Sequence, residues 1–125
     1  MAKLLSAYGY QGDAMNLPVA DVASAVPFYV DKMGFSVVGE THQPVNKTVL
    51  ERDGIQFAIA ENGGDPEQDG CAFHTDDVAE LRDEFIANGL ANIGNIDEEK
   101  RDGSIFKVFF VVAADGLCYW FGQRQ

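Results

Sequence analysis

Basic residues are scarce in this chain, and their shortage argues against one large class of partner. The 125 residues include 20 Asp and Glu but only 9 Lys and Arg, which gives a formal net charge of -11. Nucleic-acid binding depends on basic patches that neutralise phosphates. The sequence therefore predicts no nucleic-acid partner, whereas its acidity is compatible with the capture of a cationic small molecule.

Cysteines and long apolar runs are also rare. The only cysteines, Cys71 and Cys118, form no C-x-x-C pair, so the usual redox and zinc motifs are missing. Free thiols are typical of the cytoplasm. No apolar run approaches the roughly 18 residues of a membrane-spanning helix, and no secretory signal is recognisable at the N-terminus. These features predict a cytoplasmic protein without a membrane partner.

What is present is an internal repeat. A strand, a helix and three strands are predicted at residues 14–19, 22–33, 35–40, 47–52 and 55–60. After the polar segment 61–69 the same order is predicted at residues 70–75, 78–88, 90–96, 105–112 and 117–121, with a charged turn at 97–103. We predict an α+β fold in one domain, 1–125, with halves at about 1–62 and 69–125. Two βαβββ modules would form an open, cup-like mixed sheet with a helix packed behind each half.

The first helix carries an unusual proline. Asp21 or Ser24 offers an N-cap, and Gly34 is a natural stop. Proline is tolerated in the first helical turn and not further in. We therefore expect the regular helix to begin near Ser24, which places Pro27 in the first turn.

Three segments carry a family resemblance. They are LPVADVASAVPFYVDKMGF at 17–35, FHTDDVAEL at 73–81 and the Asp115-Gly116 turn. The layout resembles the vicinal oxygen chelate superfamily, which includes glyoxalase I, extradiol dioxygenases and bleomycin resistance proteins. The resemblance covers essentially the whole chain. It implies that each half curls into a partly open cup and that a homodimer builds two clefts.

The same resemblance indicates where a metal would bind. The superfamily's ligand positions correspond to Ala14 and Ala58 in the first half and to Gly70 and Trp120 in the second. None of these side chains can ligate a divalent cation. The resemblance therefore implies no metal or other cofactor. It favours the bleomycin resistance proteins, which sequester a cationic antibiotic without catalysis in a dimer cleft lined by aromatic and acidic groups.

Strand alternation selects the candidate ligand-binding residues. Trp120 and Cys118 share the cup face of the last strand, and His74 shares that of the strand opening the second half. Gln56, on the last strand of the first half, either orients a polar ligand group or is a solvent-facing strand residue. Trp120 is either a stacking platform for a cation or a core aromatic, and Phe109 belongs either to the cavity or to the core.

Three functional interpretations remain open at this point. The first is a metal-independent protein that sequesters a small, aromatic and cationic molecule, with antibiotic resistance as one role. The second is a lyase or dioxygenase of the superfamily that uses a divalent metal. The third is a metal-independent enzyme with a carboxylate base. The identity of the ligand, any catalysis, strand exchange in the dimer and the role of residues 8–13 are not predicted.

Overall fold

The computed structural model describes residues 2–125; Met1, where the predicted first half begins, lies outside the described residues. The strands are β1 (Leu4–Gly9), β2 (Leu17–Pro18), β3 (Ser36–Thr41), β4 (Lys47–Arg52), β5 (Ile55–Ala60), β6 (Gly70–Thr75), β7 (Asp97–Arg101), β8 (Ser104–Val112) and β9 (Cys118–Arg124). The α-helices are α1 (Val22–Pro27) and α2 (Val78–Ala87). No helix within residues 2–125 is long and apolar enough to cross a membrane.

The two halves repeat one sheet topology. The first half forms a sheet of order β2-β5-β4-β3, and the second half forms the equivalent order β6-β9-β8-β7. In each module the first strand lies parallel to the last, and the other pairs are antiparallel. Helix α1 contacts β4, and helix α2 contacts β8 and β9. The predicted α+β fold of two βαβββ modules in open mixed sheets is confirmed.

Strand β1 is the one addition to this repeat. It pairs antiparallel with β6 on the outer edge of the second sheet, where Ser6 lies opposite His74 and Tyr8 opposite Ala72. Residues from the start of the chain therefore complete the sheet of the second half.

Two predictions around residue 97 were wrong. The segment predicted as a weak strand, 90–96, makes only an isolated bridge from Ile93 to Val111. The predicted charged turn at 97–103 is instead mostly strand β7, and only Asp102 and Gly103 turn, with φ angles of 50° and 78°. Since β7 is an edge strand with no fully buried side chain, it needs no apolar alternation, and charged residues are common at such edges.

The first helix begins at Val22, the first residue of the predicted range 22–33, and not near Ser24. Asp21 is the N-cap, and its carboxylate accepts a hydrogen bond from the Ser24 amide at 3.4 Å. Pro27 is therefore the last of six helical residues rather than part of the first turn. Because Pro27 has no N–H to donate to the preceding turn, the helix widens into a π-helix over Phe28–Lys32. Gly34, at φ 74°, then ends it as predicted.

An aromatic core joins the sheets and helices. Buried rings from both halves meet edge to face, including Tyr29 with Phe57 at 5.4 Å and with Tyr119 at 5.7 Å. The hydroxyl groups of Tyr29 and Tyr119 form a buried hydrogen bond of 2.6 Å, which satisfies two polar groups that would otherwise be costly to bury. These contacts link the π-helix Phe28–Lys32 of the first half to strand β9 of the second.

A buried guanidinium forms a second link between distant segments. Arg52, whose side chain is 8% exposed, makes a two-bond ion pair with Glu84 on α2 at 2.6 and 2.7 Å. It also donates to the backbone oxygens of Met33 and Ala2 at 2.8 and 3.4 Å. Burial would lower the pKa of Arg52, but its bonds to Glu84 and the charges of Glu84 and Asp53 outweigh burial and raise it. The group therefore stays charged.

Replacing this guanidinium should strongly destabilise the protein. We expect Arg52→Ala to lower the free energy of unfolding by about 3 kcal/mol, because Glu84 and two backbone oxygens lose their partner. Arg82→Ala is the matched control, since the hydrogen bonds of Arg82 to the Gly94 oxygen and to Asn95 lie near the surface. Urea unfolding followed by Trp120 fluorescence measures both, and equal losses in the two variants would contradict the assigned role of Arg52.

Candidate ligand-binding face of the second sheet

One face of the five-stranded sheet carries a cluster of aromatic side chains. Strand pairing places Tyr8 opposite Ala72, Ala72 opposite Trp120 and Trp120 opposite Phe110, so that these side chains lie on one side. Helix α2 covers the other side through Phe85, which contacts Phe109 and Phe121. We call the side away from the helix the cup face; it comprises Tyr8, Ala72, His74, Glu99, Arg101, Phe106, Val108, Phe110, Cys118 and Trp120.

Trp120 is the centre of the cup face. Its ring lies along the sheet above Gly122, where any Cβ would overlap the indole. His74 and Phe106 meet the ring edge to face, with centroids at 5.0 and 5.5 Å. These neighbours and Arg101 bury Trp120 completely in the single chain. The absence of a side chain at position 122 is thus what allows the indole to lie flat.

Two charged side chains of strand β7 complete the cluster. The carboxylate of Glu99 accepts a hydrogen bond of 3.2 Å from the indole N–H of Trp120. The guanidinium of Arg101 pairs with the same carboxylate and lies over the indole, with its Cζ atom 4.6 Å from the ring centroid. The cup face therefore combines a planar aromatic surface, a cation and its counter-ion.

The remaining polar groups are His74, Tyr10 and Cys118. Burial, with the charge of Arg101, lowers the pKa of His74 below its usual value. The hydroxyl of Tyr10 points to the Cys118 sulfur at 3.9 Å, and burial together with this contact raises the pKa of the Tyr10 phenol. At neutral pH the cations on this side of the sheet are therefore Arg101 and, at the end of β9, the exposed Arg124, which lies opposite Phe106.

The structure separates the residues predicted from the sequence. Trp120 and His74 lie in contact on the cup face, and Cys118 lies on the same face beside Tyr10. Gln56 lies on the other sheet, where it is exposed and donates to Glu51 at 3.0 Å. Phe109, for which cavity and core were both considered, is completely buried on the helix side and stacks on Phe121 at 5.1 Å.

Six cup-face residues were missed from the sequence, namely Tyr8, Glu99, Arg101, Phe106, Val108 and Phe110. Tyr8 lies in strand β1, outside the repeat, and Phe106 was read only as part of a strong strand. Glu99 and Arg101 fell in the segment predicted as a turn. Their spacing of two residues, which puts both on one face of a strand, was the available signal.

The positions equivalent to the superfamily's metal ligands do not fit a divalent ion. Ala14 and Ala58 lie side by side, with the Ala58 amide donating to the Ala14 oxygen at 2.9 Å, and neither side chain has a donor atom. Gly70 has no side chain, and the indole of Trp120 cannot ligate. Within residues 2–125, no three His, Cys, Asp or Glu side chains are grouped closely enough to hold a metal ion.

The cup face is an open surface in the single chain. Tyr8 is 64% exposed and Phe110 is 41% exposed. Half-open pockets lie elsewhere: the lining of one, of about 250 Å³, includes Phe28, Tyr29 and Asp115, and that of another, of about 360 Å³, includes His42. A ligand on the cup face would be covered on one side only unless a second surface closed over it.

The fold consists of two open βαβββ sheets, and an aromatic cluster around Trp120 lies on one face of the second. The chain belongs to the Glyoxalase/Bleomycin resistance protein/Dioxygenase superfamily, whose model matches residues 12–111. A search of curated protein sequences finds no match.

Solved structures with similar folds include antibiotic-binding proteins. A bleomycin-binding protein complexed with bleomycin is 20% identical, with a TM-score of 0.70 and coverage of 90% of this chain and 97% of that one. The bleomycin resistance determinant encoded on the transposon Tn5 is 23% identical (TM-score 0.67; 89% and 95%). TnmS3, an antibiotic-binding protein from Streptomyces sp. CB03234, is 18% identical (TM-score 0.68; 89% and 93%). Similarity at this level establishes the fold.

The environment of His74 predicts a pH dependence of stability. Its folded pKa is lowered, whereas an unfolded histidine titrates near about 6.5. At a pH between the folded and the unfolded pKa of His74, the unfolded state therefore binds more protons than the folded state. The contribution of neutral His74 to stability is complete above about pH 6.5 and is lost as the pH falls through the folded pKa. We expect His74→Gln to remove this part of the pH dependence.

Two measurements test the direction of the His74 pKa shift and of the resulting change in stability with pH. NMR titration of the imidazole should give a His74 midpoint below about 6.5, and urea unfolding across pH 5–8 should show a shallower acid-side loss in His74→Gln than in wild type. His42→Gln, which removes the exposed loop histidine, is the control. A His74 midpoint at or above the unfolded value would refute the prediction.

Proposed function

We propose that this protein binds and sequesters a small, aromatic and cationic molecule on its cup face without a metal ion, with antibiotic resistance as one role. The observation that carries the proposal is the Trp120 cluster. An indole, two further aromatic groups and a carboxylate converge where the superfamily's enzymes would place a metal ligand. Such a surface is suited to stacking and charge recognition rather than to chelation.

Exposed aromatic surface supports this proposal. Tyr8 and Phe110 lie on the cup face on either side of Trp120 and remain largely accessible. A monomeric protein rarely leaves grouped aromatic side chains exposed unless they contact a partner or ligand. The net charge of -11 would attract a cationic ligand over distances of about a Debye length, roughly 8 Å at physiological salt.

The structural neighbours indicate which ligand to try first. One of them was solved with bleomycin bound, and another is an antibiotic-binding protein. We therefore choose metal-free bleomycin as the probe.

We also propose that the protein is a cytoplasmic homodimer. The two sheets expose apolar side chains that a second copy would cover, namely Val37 and Val38 on the first sheet and Tyr8, Phe110 and Val112 on the second. A second copy would also cover the side of a bound ligand that the cup face leaves exposed. The cytoplasmic location is supported by the unpaired thiols of Cys71 and Cys118.

Binding should be independent of metal. We expect the protein purified without chelator to contain no stoichiometric transition metal. Metal-free bleomycin should change the emission of Trp120, the single tryptophan, with the same affinity before and after dialysis against EDTA. Tyr8→Ala should weaken binding about two- to tenfold, because one exposed stacking surface is lost. Ile86→Ala, which shortens an exposed apolar side chain on α2, should leave the affinity unchanged.

The opposite result identifies the competing function. Stoichiometric Zn, Ni, Fe or Mn, together with loss of binding after chelation, would overturn the proposal. A metal-dependent lyase or dioxygenase would then be the better interpretation.

The dimer has its own test. Sedimentation velocity should give about twice the chain mass of 13.6 kDa. Phe110→Asp, which places a charge on the exposed apolar face, should shift the protein towards the monomer because the charge would be desolvated in an interface. A monomer at all concentrations would refute this part of the proposal.

A further inference from the structure

The aromatic centre of the cup face is already occupied by a cation from the chain itself. The guanidinium of Arg101 lies 4.6 Å from the centroid of Trp120 and pairs with Glu99. Glu99 in turn accepts the indole N–H of Trp120 at 3.2 Å. These three groups reproduce, within one chain, the contacts that a planar cationic ligand would make with an indole and a carboxylate.

Arg101 is placed so that it can leave this position. It is the last residue of β7, the edge strand of the sheet, and it precedes the exposed turn at Asp102 and Gly103. Its side chain is 46% exposed, whereas Trp120 beneath it is fully buried. Rotation of an exposed arginine requires no change in the core, and its departure would uncover the outer surface of the indole.

We propose that Arg101 occupies the position of a ligand's guanidinium or amidinium group, which displaces it and takes over Glu99 and the Trp120 ring. This inference rests on the proposed function, for which it names the group that is recognised.

Shape and charge both favour a planar cation over an ammonium. A flat, delocalised group can stack on the indole and at the same time present parallel N–H donors to a carboxylate, which a tetrahedral ammonium cannot do. Phe106, which is 8% exposed, and His74 contact the indole and each other edge to face. Because the pKa of His74 is lowered, its imidazole adds no positive charge at neutral pH that would repel the ligand.

Arg101 would therefore act as a competitor that sets the affinity of the site. In wild-type protein the ligand must displace Arg101 from Trp120 and from Glu99. Without Arg101 the same ligand meets a free indole surface and the carboxylate of Glu99 without its guanidinium partner. The expected gain is about two- to thirtyfold, which corresponds to the usual range of a cation–π contact.

The test compares Arg101→Ala with wild type, using benzamidine as the probe and its uncharged isostere benzamide as the reference. We expect the Trp120 emission of Arg101→Ala to shift to the red without ligand. Its affinity for benzamidine, measured by calorimetry and Trp120 fluorescence, should rise by about two- to thirtyfold over wild type. Benzamide should show no such gain.

Neighbouring residues of β7 provide matched controls. Lys100 and Glu98 point to the opposite side of the same strand, opposite Ile105 and Lys107. Lys100→Ala should leave the affinity for benzamidine at the wild-type value. Glu99→Gln in the Arg101→Ala background should abolish the preference for benzamidine, whereas Glu98→Gln should retain it. Arg101→Gln provides a second way of removing the charge if the alanine variant is poorly folded.

The outcomes distinguish this inference from the function on which it rests. If Arg101→Ala and Arg101→Gln bind benzamidine no better than wild type, or no better than benzamide, Arg101 does not hold a cation's position and the inference fails. Bleomycin binding would then decide the proposed function separately. If neither benzamidine nor bleomycin binds any variant, both the inference and the proposed function are overturned.

Discussion

The buried guanidinium of Arg52 holds together segments that are distant in the sequence. It joins the last turn before Gly34, helix α2 and the first residues of the chain through Met33, Glu84 and Ala2. Asp53, which it also contacts, accepts the amide of Leu4 at 3.0 Å and so fixes the start of β1. Tyr8 lies in β1. Its position on the cup face therefore depends on the ion pair between Arg52 and Glu84, which lies on the helix side of the sheet.

The position of the Trp120 ring on the cup face depends on small residues next to it. Gly122 leaves room for the indole of Trp120 to lie along the sheet, and Ala72 adds little bulk beside it. Ala14, Ala58 and Gly70, the positions that the resemblance equates with metal ligands, carry no donor side chain. The acidic composition adds the counter-charge, of which Glu99 is the nearest example. These features are the basis on which sequestration is proposed, whereas the fold itself is shared by the whole superfamily.

Sequence reasoning succeeded where local pattern and burial agree. The repeated modules, helix α2, strands β4 to β6 and the stop at Gly34 were all predictable, because buried faces impose a period on the residues that form them. It failed at β7, an edge strand of charged residues with no buried face to impose a pattern, and at the start of α1, where capping by Asp21 outweighed the expected position of Pro27. The contact between Trp120 and His74 was foreseeable from alternation, whereas the role of Glu99 and Arg101 was not, since their strand was not recognised.

The sequence by itself determined the module order, the family and the lack of ligating side chains at its metal positions, since these depend on residue type and local spacing. Only the tertiary structure decided that β1 would join the second sheet, that Gln56 and Trp120 would lie on different sheets, and that Arg101 would lie on the indole. Those outcomes depend on pairing between strands far apart in the chain. Such pairing is selected by the packing of whole faces, which no short segment encodes.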